Sequence, residues 1–322
     1  MRFIVVFAAM VFAALGMAEP ASGAASGREA YLFEKNKAAF PDIGQVRSRS
    51  FKFLAAFDQS ANMLASMAAL RDRVIQAGTA AGYAFAAPKK GWKWAYSAKC
   101  YYDTPERDLY DRGYVIREIY PYKRGKKPDP DKFFLTVKEM SPDDFARLAR
   151  SELRPASGGG VKIKFEENIS LAAPGVPRSY FESTVSASAQ NRQLGNRALG
   201  DYAALYPALA HVGLAADTVL TPPVIAWSVE SVIGRFALPG GQSMKLTMEG
   251  WARSRGGPPI LIGIDMDVDG DTGYSEDPAK LRAAEDFFMT VFGGALGDLA
   301  MPGSGGFMGS KVRILFDRAR ER

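Results

Sequence analysis

The chain has 322 residues, 47% of them hydrophobic and 24% charged, with a formal charge of +6. That is ordinary globular composition, long enough for one large domain or two small ones. One cysteine, Cys100, and one histidine, His211, exclude an internal disulfide and a zinc site built from His and Cys. No basic tail or nucleic-acid motif is present, so the excess of Lys and Arg points only generally to an anionic partner.

The first residues predict export. Met1-Arg2 supplies one positive charge, Phe3 to Leu15 is apolar and uncharged, and small residues follow at Gly16 to Ala18 and Ala21 to Ala25. This pattern reads as a secretory signal peptide within residues 1–24, with the small residues near Ala18 and near Ala24 as alternative cleavage points. The run is too short to cross a bilayer core of roughly 30 Å, and no later stretch is long and apolar enough to do so. The exported product is expected to carry an N-terminal segment, 25–46, and one domain, 47–322.

Along the body, Arg28 to Phe40 reads as a short helix stopped by Pro41. Arg47 to Leu54 reads as a strand. Gln59 to Ala77 has helical spacing through Met63, Met67, Leu70 and Val74. Trp94 to Tyr102, Tyr114 to Tyr120 and Lys132 to Glu139 read as strands. Pro142 to Leu153 reads as a helix with Ser141 as its cap. Val161 to Leu171 is a strand, and Tyr180 to Leu214 is Ala-rich and helical in pattern. Val224 to Leu238, Met244 to Trp251, Ile260 to Asp267 and Lys311 to Phe316 read as strands, and Pro278 to Phe292 as a helix. Cys100 fits a small buried apolar position in its strand. His211 sits at the apolar end of a helix and fits a structural role better than a catalytic triad.

The strands alternate apolar and ionic side chains. Lys132, Phe134, Thr136 and Lys138 share one face, Lys162, Lys164 and Glu166 another, Lys245, Thr247 and Glu249 a third, and Gly263, Asp265 and Asp267 a fourth. Two architectures satisfy this. The apolar faces pack inward and the ions meet water, or the strands close into a barrel with the ions inside and helices covering the apolar exterior.

The run Tyr101-Tyr102-Asp103-Thr104-Pro105, followed by Leu109, Gly113 and Val115-Ile116-Arg117, resembles the CYTH family, the triphosphate tunnel metalloenzymes, as a divergent member. Leu135-Thr136-Val137-Lys138, Lys164-Phe165-Glu166 and Tyr206-Pro207-Ala208-Leu209 with Gly213-Leu214 resemble later elements of the same pattern, so the likeness spans roughly Arg47 to Phe292. It implies an α+β fold: a closed antiparallel β-barrel, a tunnel with a charged interior, covered by helices. It implies that Lys52, Arg117, Lys138 and Lys164, with Arg235 and Lys245 from the second half, bind a triphosphate or polyphosphate. It implies further that Glu166, Glu249, Asp265 and Asp267 hold Mg²⁺ or Mn²⁺ for phosphohydrolysis. Basic groups neutralise phosphate oxygens, and a metal polarises the phosphoryl group.

The sequence departs from the family at two points. The family's first strand carries Glu-x-Glu-x-Lys; here Ser48 and Ser50 precede Lys52, and hydroxyls are poor ligands for a hard divalent cation. Ile119 stands where a second Arg is common. A non-catalytic polyanion-binding descendant is the alternative. Asp265 to Glu276 also matches the calcium-loop string D-x-D-x-D-G-x5-E. Asp265, Asp267, Asp269 and Glu276 are therefore candidate Ca²⁺ ligands in a calcium-stabilised interaction protein, although a strand rather than a helix enters the loop. An acidic surface turn is the third reading of the same residues.

Overall fold

The computed structural model describes residues 30–57, 62–122, 132–141, 153–156, 161–190, 197–220, 224–269, 273–274, 277–307 and 309–320. The predicted signal segment 1–24, the helix predicted from Pro142 and the loop position Glu276 lie outside these residues.

Ten strands form one sheet: β1 (Ser48–Ala55), β2 (Phe85–Ala86), β3 (Ala95–Tyr102), β4 (Tyr114–Tyr122), β5 (Lys132–Ser141), β6 (Lys162–Ala173), β7 (Val176–Gln190), β8 (Val224–Ala237), β9 (Ser243–Ala252) and β10 (Pro259–Val268). The order is β2-β8-β3-β4-β5-β7-β6-β1-β10-β9, and β9 also pairs with β8. Nine strands therefore close a ring, with β2 added outside it. The helices are α1 (Leu32–Ala39), α2 (Met63–Ala80), α3 (Asp108–Asp111), α4 (Leu199–Ala203), α5 (Pro278–Phe288) and α6 (Lys311–Arg320).

The barrel is mixed, which corrects the expectation of a purely antiparallel one. β1 and β6 run parallel, with Ser48 beside Glu166 and Lys52 beside Ser170; the other ring pairings are antiparallel. The reason is a matter of parity. Strand directions cannot alternate all the way round a ring of nine, so one seam has to be parallel.

Two elements differ from the sequence reading. The segment beginning at Tyr180 is strand, because β7 pairs with β5 and β6 along most of its length. Its Ala and Ser residues suit a helix locally, but long-range pairing decides. Among the described residues of this segment, helical turns lie at α4 and at the 3₁₀ turn Pro207–His211. Conversely, Lys311 to Phe316 is helix. Val312, Leu315 and Phe316 are buried together at helical spacing, against Tyr101, Tyr110 and Trp251.

Alternation sorts the strands as the closed-barrel reading expects. Phe51, Phe53, Leu246, Met248, Ile264 and Met266 face outward into the main core, where Met67, Leu70 and Val74 of α2 and Phe287 and Phe288 of α5 cover them. Each such side chain contributes about 1.5–3 kcal/mol by leaving water. Asn62 caps α2, accepting from the Leu64 and Ala65 amides at 3.0 and 3.2 Å. A second outer core joins Cys100, Ile116, Leu135 and Val137 to Tyr202, Tyr206 and Leu209.

Segment 31–46 is anchored through a buried ionic network. Arg49, on the outer face of β1, donates to Glu167 at 2.7 Å and to Glu285 of α5 at 2.5 Å. Glu285 accepts from the Leu32 and Phe33 amides at 2.9 and 3.0 Å. It thus caps α1, whose own N-terminal residue provides no side-chain cap. Among the described residues no helix is long and apolar enough to cross a membrane.

Candidate binding tunnel

The inner faces of the ring enclose a cavity of about 270 Å³. Six basic side chains line it (Lys52, Lys99, Arg117, Lys138, Lys164, Lys311), together with six acidic ones (Glu166, Glu182, Glu230, Glu249, Asp265, Asp267). The register explains how they meet. Lys52 lies opposite Asp265, Glu166 opposite Glu182 and Lys164 opposite Thr184, Lys138 also opposite Thr184, and Glu249 opposite Glu230. Directly opposed residues share a face, so each pair points inward.

Of the six basic residues expected to bind a ligand, Lys52, Arg117, Lys138 and Lys164 converge on the cavity. Arg235 and Lys245 do not line it. They pair with each other at one end of β8 and β9, where Arg235 is exposed and donates to Asp269 at 2.7 Å. Of the acidic residues, Glu166, Glu249, Asp265 and Asp267 line the cavity. Asp269 lies past the end of β10 on Arg235 and Ser243. The calcium-loop arrangement is therefore not formed by its first three acids. Asp265 and Asp267 belong to a regular strand, and Asp269 is engaged at the surface.

Ion pairs fill much of the interior. Lys138 donates to Glu182 at 2.6 Å, and Lys164 to Glu166 at 3.2 Å. Glu249 accepts from Lys99 and from Lys311 at 3.0 Å. Asp265 accepts from Lys311 at 2.5 Å. Among the described residues Lys52 and Arg117 form no ion pair. Burial works against the charge of Lys52, and Tyr180, Glu182, Asp265 and Glu166 together more than offset it, so its pKa is raised. Lys138 is held below the ordinary lysine value, chiefly by burial; Arg117 and Lys52 add repulsion against the attraction of Glu182. Burial also resists the charge of Glu249, yet Lys99 and Lys311 hold it well below the usual carboxylate range.

The Asp103-Thr104 pair, part of the family-like string, builds the turn between β3 and β4. Asp103 accepts from the Thr104, Leu109 and Tyr110 amides at 2.7, 2.9 and 3.0 Å. Thr104 Oγ1 accepts from the Asp108 amide at 2.9 Å. These contacts set the course of β4, and so the position of Arg117.

The sequence reading missed Lys99, Glu182, Glu230 and Lys311. Lys99 and Tyr101 alternate with Ala98 and Cys100, so the rule applied to the other strands would have found them. Glu182 was hidden by the helical reading of its segment. Lys311 was hidden by the strand reading of its segment, since a helix carries it into the barrel.

The set does not fit a resident divalent ion of the kind the family resemblance implies. Such an ion needs several converging oxygens. Ser48 and Ser50 occupy the first-strand positions, and Glu166, Glu182, Glu249 and Asp265 each accept from a lysine. Among the described residues no three His, Cys, Asp or Glu side chains are grouped to hold a metal. A second cavity, of about 780 Å³, lies against the outer face near Tyr96, Tyr122, Trp227 and Arg255. It gathers no comparable set of charges.

No protein-family model matches the chain, and no curated protein matches it. Solved structures do. An adenylyl cyclase candidate from Hippeastrum, reported to have a dominant triphosphatase activity, is 13% identical with a TM-score of 0.40; the match covers 84% of this chain and 95% of that one. A protein from Pyrococcus horikoshii OT3 is 10% identical with a TM-score of 0.30, over 75% of this chain and 89% of that one. An adenylate cyclase candidate from Bacillus halodurans is 12% identical with a TM-score of 0.33, over 76% and 90%. At these values the likeness carries no information on activity.

Proposed function

We propose that the chain binds a phosphate-chain anion, of the triphosphate or polyphosphate type, inside the barrel. The observation that carries this reading is the gathering of cations around Lys52. Lys138, Lys164 and Lys311 are all close enough to Lys52 for their charges to repel, and Arg117 presses on Lys138 from the next strand. Lys52 and Arg117 have no carboxylate partner among the described residues, so they offer their charge to a ligand without first giving up an ion pair. Lys138 and Lys164 would exchange Glu182 and Glu166 for phosphate oxygens.

The residues favour binding over turnover. Phosphoryl transfer depends on positioning and charge neutralisation, and three of the four carboxylates that would organise a metal and a water, Glu166, Glu249 and Asp265, are held by lysines. Because acids and bases balance in the tunnel, the affinity should be moderate and should weaken with salt.

Calorimetric titration of the purified protein with tripolyphosphate tests this. The expected result is saturable binding without added metal, weakened at least roughly tenfold in Lys52→Ala and in Arg117→Ala. No binding at low ionic strength would remove the reading. Turnover that requires Mg²⁺ or Mn²⁺ would replace it with a hydrolase. Export through residues 1–24 belongs to the same proposal. Mass spectrometry of the mature N-terminus after expression of the whole chain checks it, and a protein that keeps Met1 to Ala24 ends it.

A further inference from the structure

We propose that Lys311 is a built-in counter-ion, occupying the place between Glu249 and Asp265 that a divalent cation would otherwise take. The proposal shares the tunnel with the phosphate-chain reading but does not need that ligand, so either can fail alone.

The geometry comes first. One ammonium lies 3.0 Å from Glu249 Oε2 and 2.5 Å from Asp265 Oδ2. The two carboxylates come from neighbouring strands, β9 and β10, and are aimed at one point. A metal held by one or two carboxylates would sit at such a point. The other Asp265 oxygen, Oδ1, is buried without a hydrogen-bond partner. Lys311 thus satisfies the pair only in part and leaves an acceptor directed at no donor.

The second argument is local. Lys311 is the first residue of α6. The positive end of a helix dipole disfavours a cation there, so the local structure gives no reason for a lysine at this place. The carboxylates across the tunnel provide one.

The third argument is mechanical. α6 is fixed by Val312, Leu315 and Phe316, which pack against Tyr101, Tyr110 and Trp251. Just before it, Ser310 Oγ lies 2.7 Å from Tyr110 Oη. At Gly305 (φ 99°) a Cβ would come within 2.0 Å of the Leu171 carbonyl oxygen, so the loop leading to Lys311 lies hard against β6. The ammonium is delivered by a docked element, and a metal could enter this place only by displacing it. Without Lys311, Glu249 would keep Lys99, and Asp265 would have no ion pair among the described residues.

The test is a Mn²⁺ titration followed by electron paramagnetic resonance, on wild type, Lys311→Met and Lys311→Met/Asp265→Asn. Lys311→Met is expected to bind one Mn²⁺ at least roughly tenfold more tightly than wild type, about 1.4 kcal/mol, and the double variant is expected to lose the gain. If Lys311→Met does not fold, Lys311→Gln keeps a hydrogen-bond donor near both carboxylates while removing the charge. Asp265→Asn alone should leave wild-type Mn²⁺ binding unchanged. The proposal is overturned if wild type binds Mn²⁺ as tightly as the Lys311 variant, if that variant shows no gain, or if Asp265→Asn weakens binding in the wild-type background. Failure of tripolyphosphate to bind would leave these outcomes untouched.

Discussion

Lys138 on β5 donates a 2.6 Å hydrogen bond to Glu182 on β7, deep in the wall of the barrel. The two are set diagonally across the strand pair, since Lys138 lies opposite Thr184 and Glu182 opposite Met140. Thr184 Oγ1 donates to the same Glu182 oxygen at 2.6 Å.

This pair predicts a pH dependence. Burial favours the neutral form of Glu182, but Lys138 and Lys52 more than offset that and hold the folded pKa below the ordinary value of 4.5. A depressed carboxylate contributes stability above its unfolded pKa and loses it as the pH falls through the folded value. Glu182→Gln should therefore lower stability at neutral pH by about 3 kcal/mol, the cost of leaving a buried partner unpaired. It should also flatten the acid limb below about pH 4.5. Urea unfolding across a pH series reads both effects. An acid limb as steep as that of wild type would show that Glu182 does not carry the dependence.

Lys52 and Arg117 should separate from Arg235 in a binding assay. Each tunnel cation should cost at least roughly tenfold in tripolyphosphate affinity when replaced by alanine, since charge-assisted hydrogen bonds are worth about 1.5–3 kcal/mol. Arg235 is exposed, lies outside the cavity and pairs with Asp269, so Arg235→Ala should leave the affinity within about twofold, in keeping with the small worth of surface ion pairs. Equal losses at all three positions would point to a general field instead of a tunnel site.

Arg49→Met should lower stability more than any of these ligand-site changes. The guanidinium is almost fully buried and holds Glu167 and Glu285 together. Its loss strands two carboxylates, at a cost of about 3–5 kcal/mol. Glu285 also caps α1, so limited proteolysis should cut within 31–46 sooner than in wild type. Melting curves and the cleavage map check the two effects separately.

Gly305→Ala tests the loop that delivers Lys311. The added Cβ has no room against Leu171, and φ is positive, so the change should cost about 1–3 kcal/mol. It should loosen α6 before the barrel melts, seen as early proteolysis after residue 309 with the far-ultraviolet signal of the sheet retained. A single cooperative loss of both would show that α6 and the barrel unfold as one unit.

Much of the tunnel was legible in local pattern. The alternation in Lys132 to Lys138, Lys162 to Glu166, Lys245 to Glu249 and Gly263 to Asp267 separated an ionic from an apolar face in four strands, because side chains on a strand alternate by rigid geometry; which face turns inward was set by closure of the ring. The helix carrying Met63, Met67, Leu70 and Val74 was legible for the same kind of reason, a period that survives outside any tertiary context. Arg235 shows where alternation stops. Its register shares a face with Lys245, but its place near the end of β8 puts it in solvent, and that depends on strand length and stagger.

What the amino-acid order determined by itself was therefore the face each strand residue takes and the chemistry each face carries. Tertiary structure alone decided the rest. It closed nine strands with one parallel seam, made β7 a strand by pairing it on both sides, turned Lys311 to Phe316 into a helix, and set the Lys311 ammonium between Glu249 and Asp265. The physical reason is range. Dihedral preference and side-chain period act over a few neighbouring residues, whereas Lys311 meets Asp265 from 46 residues away and Glu249 from 62, and only the folded chain brings those charges together.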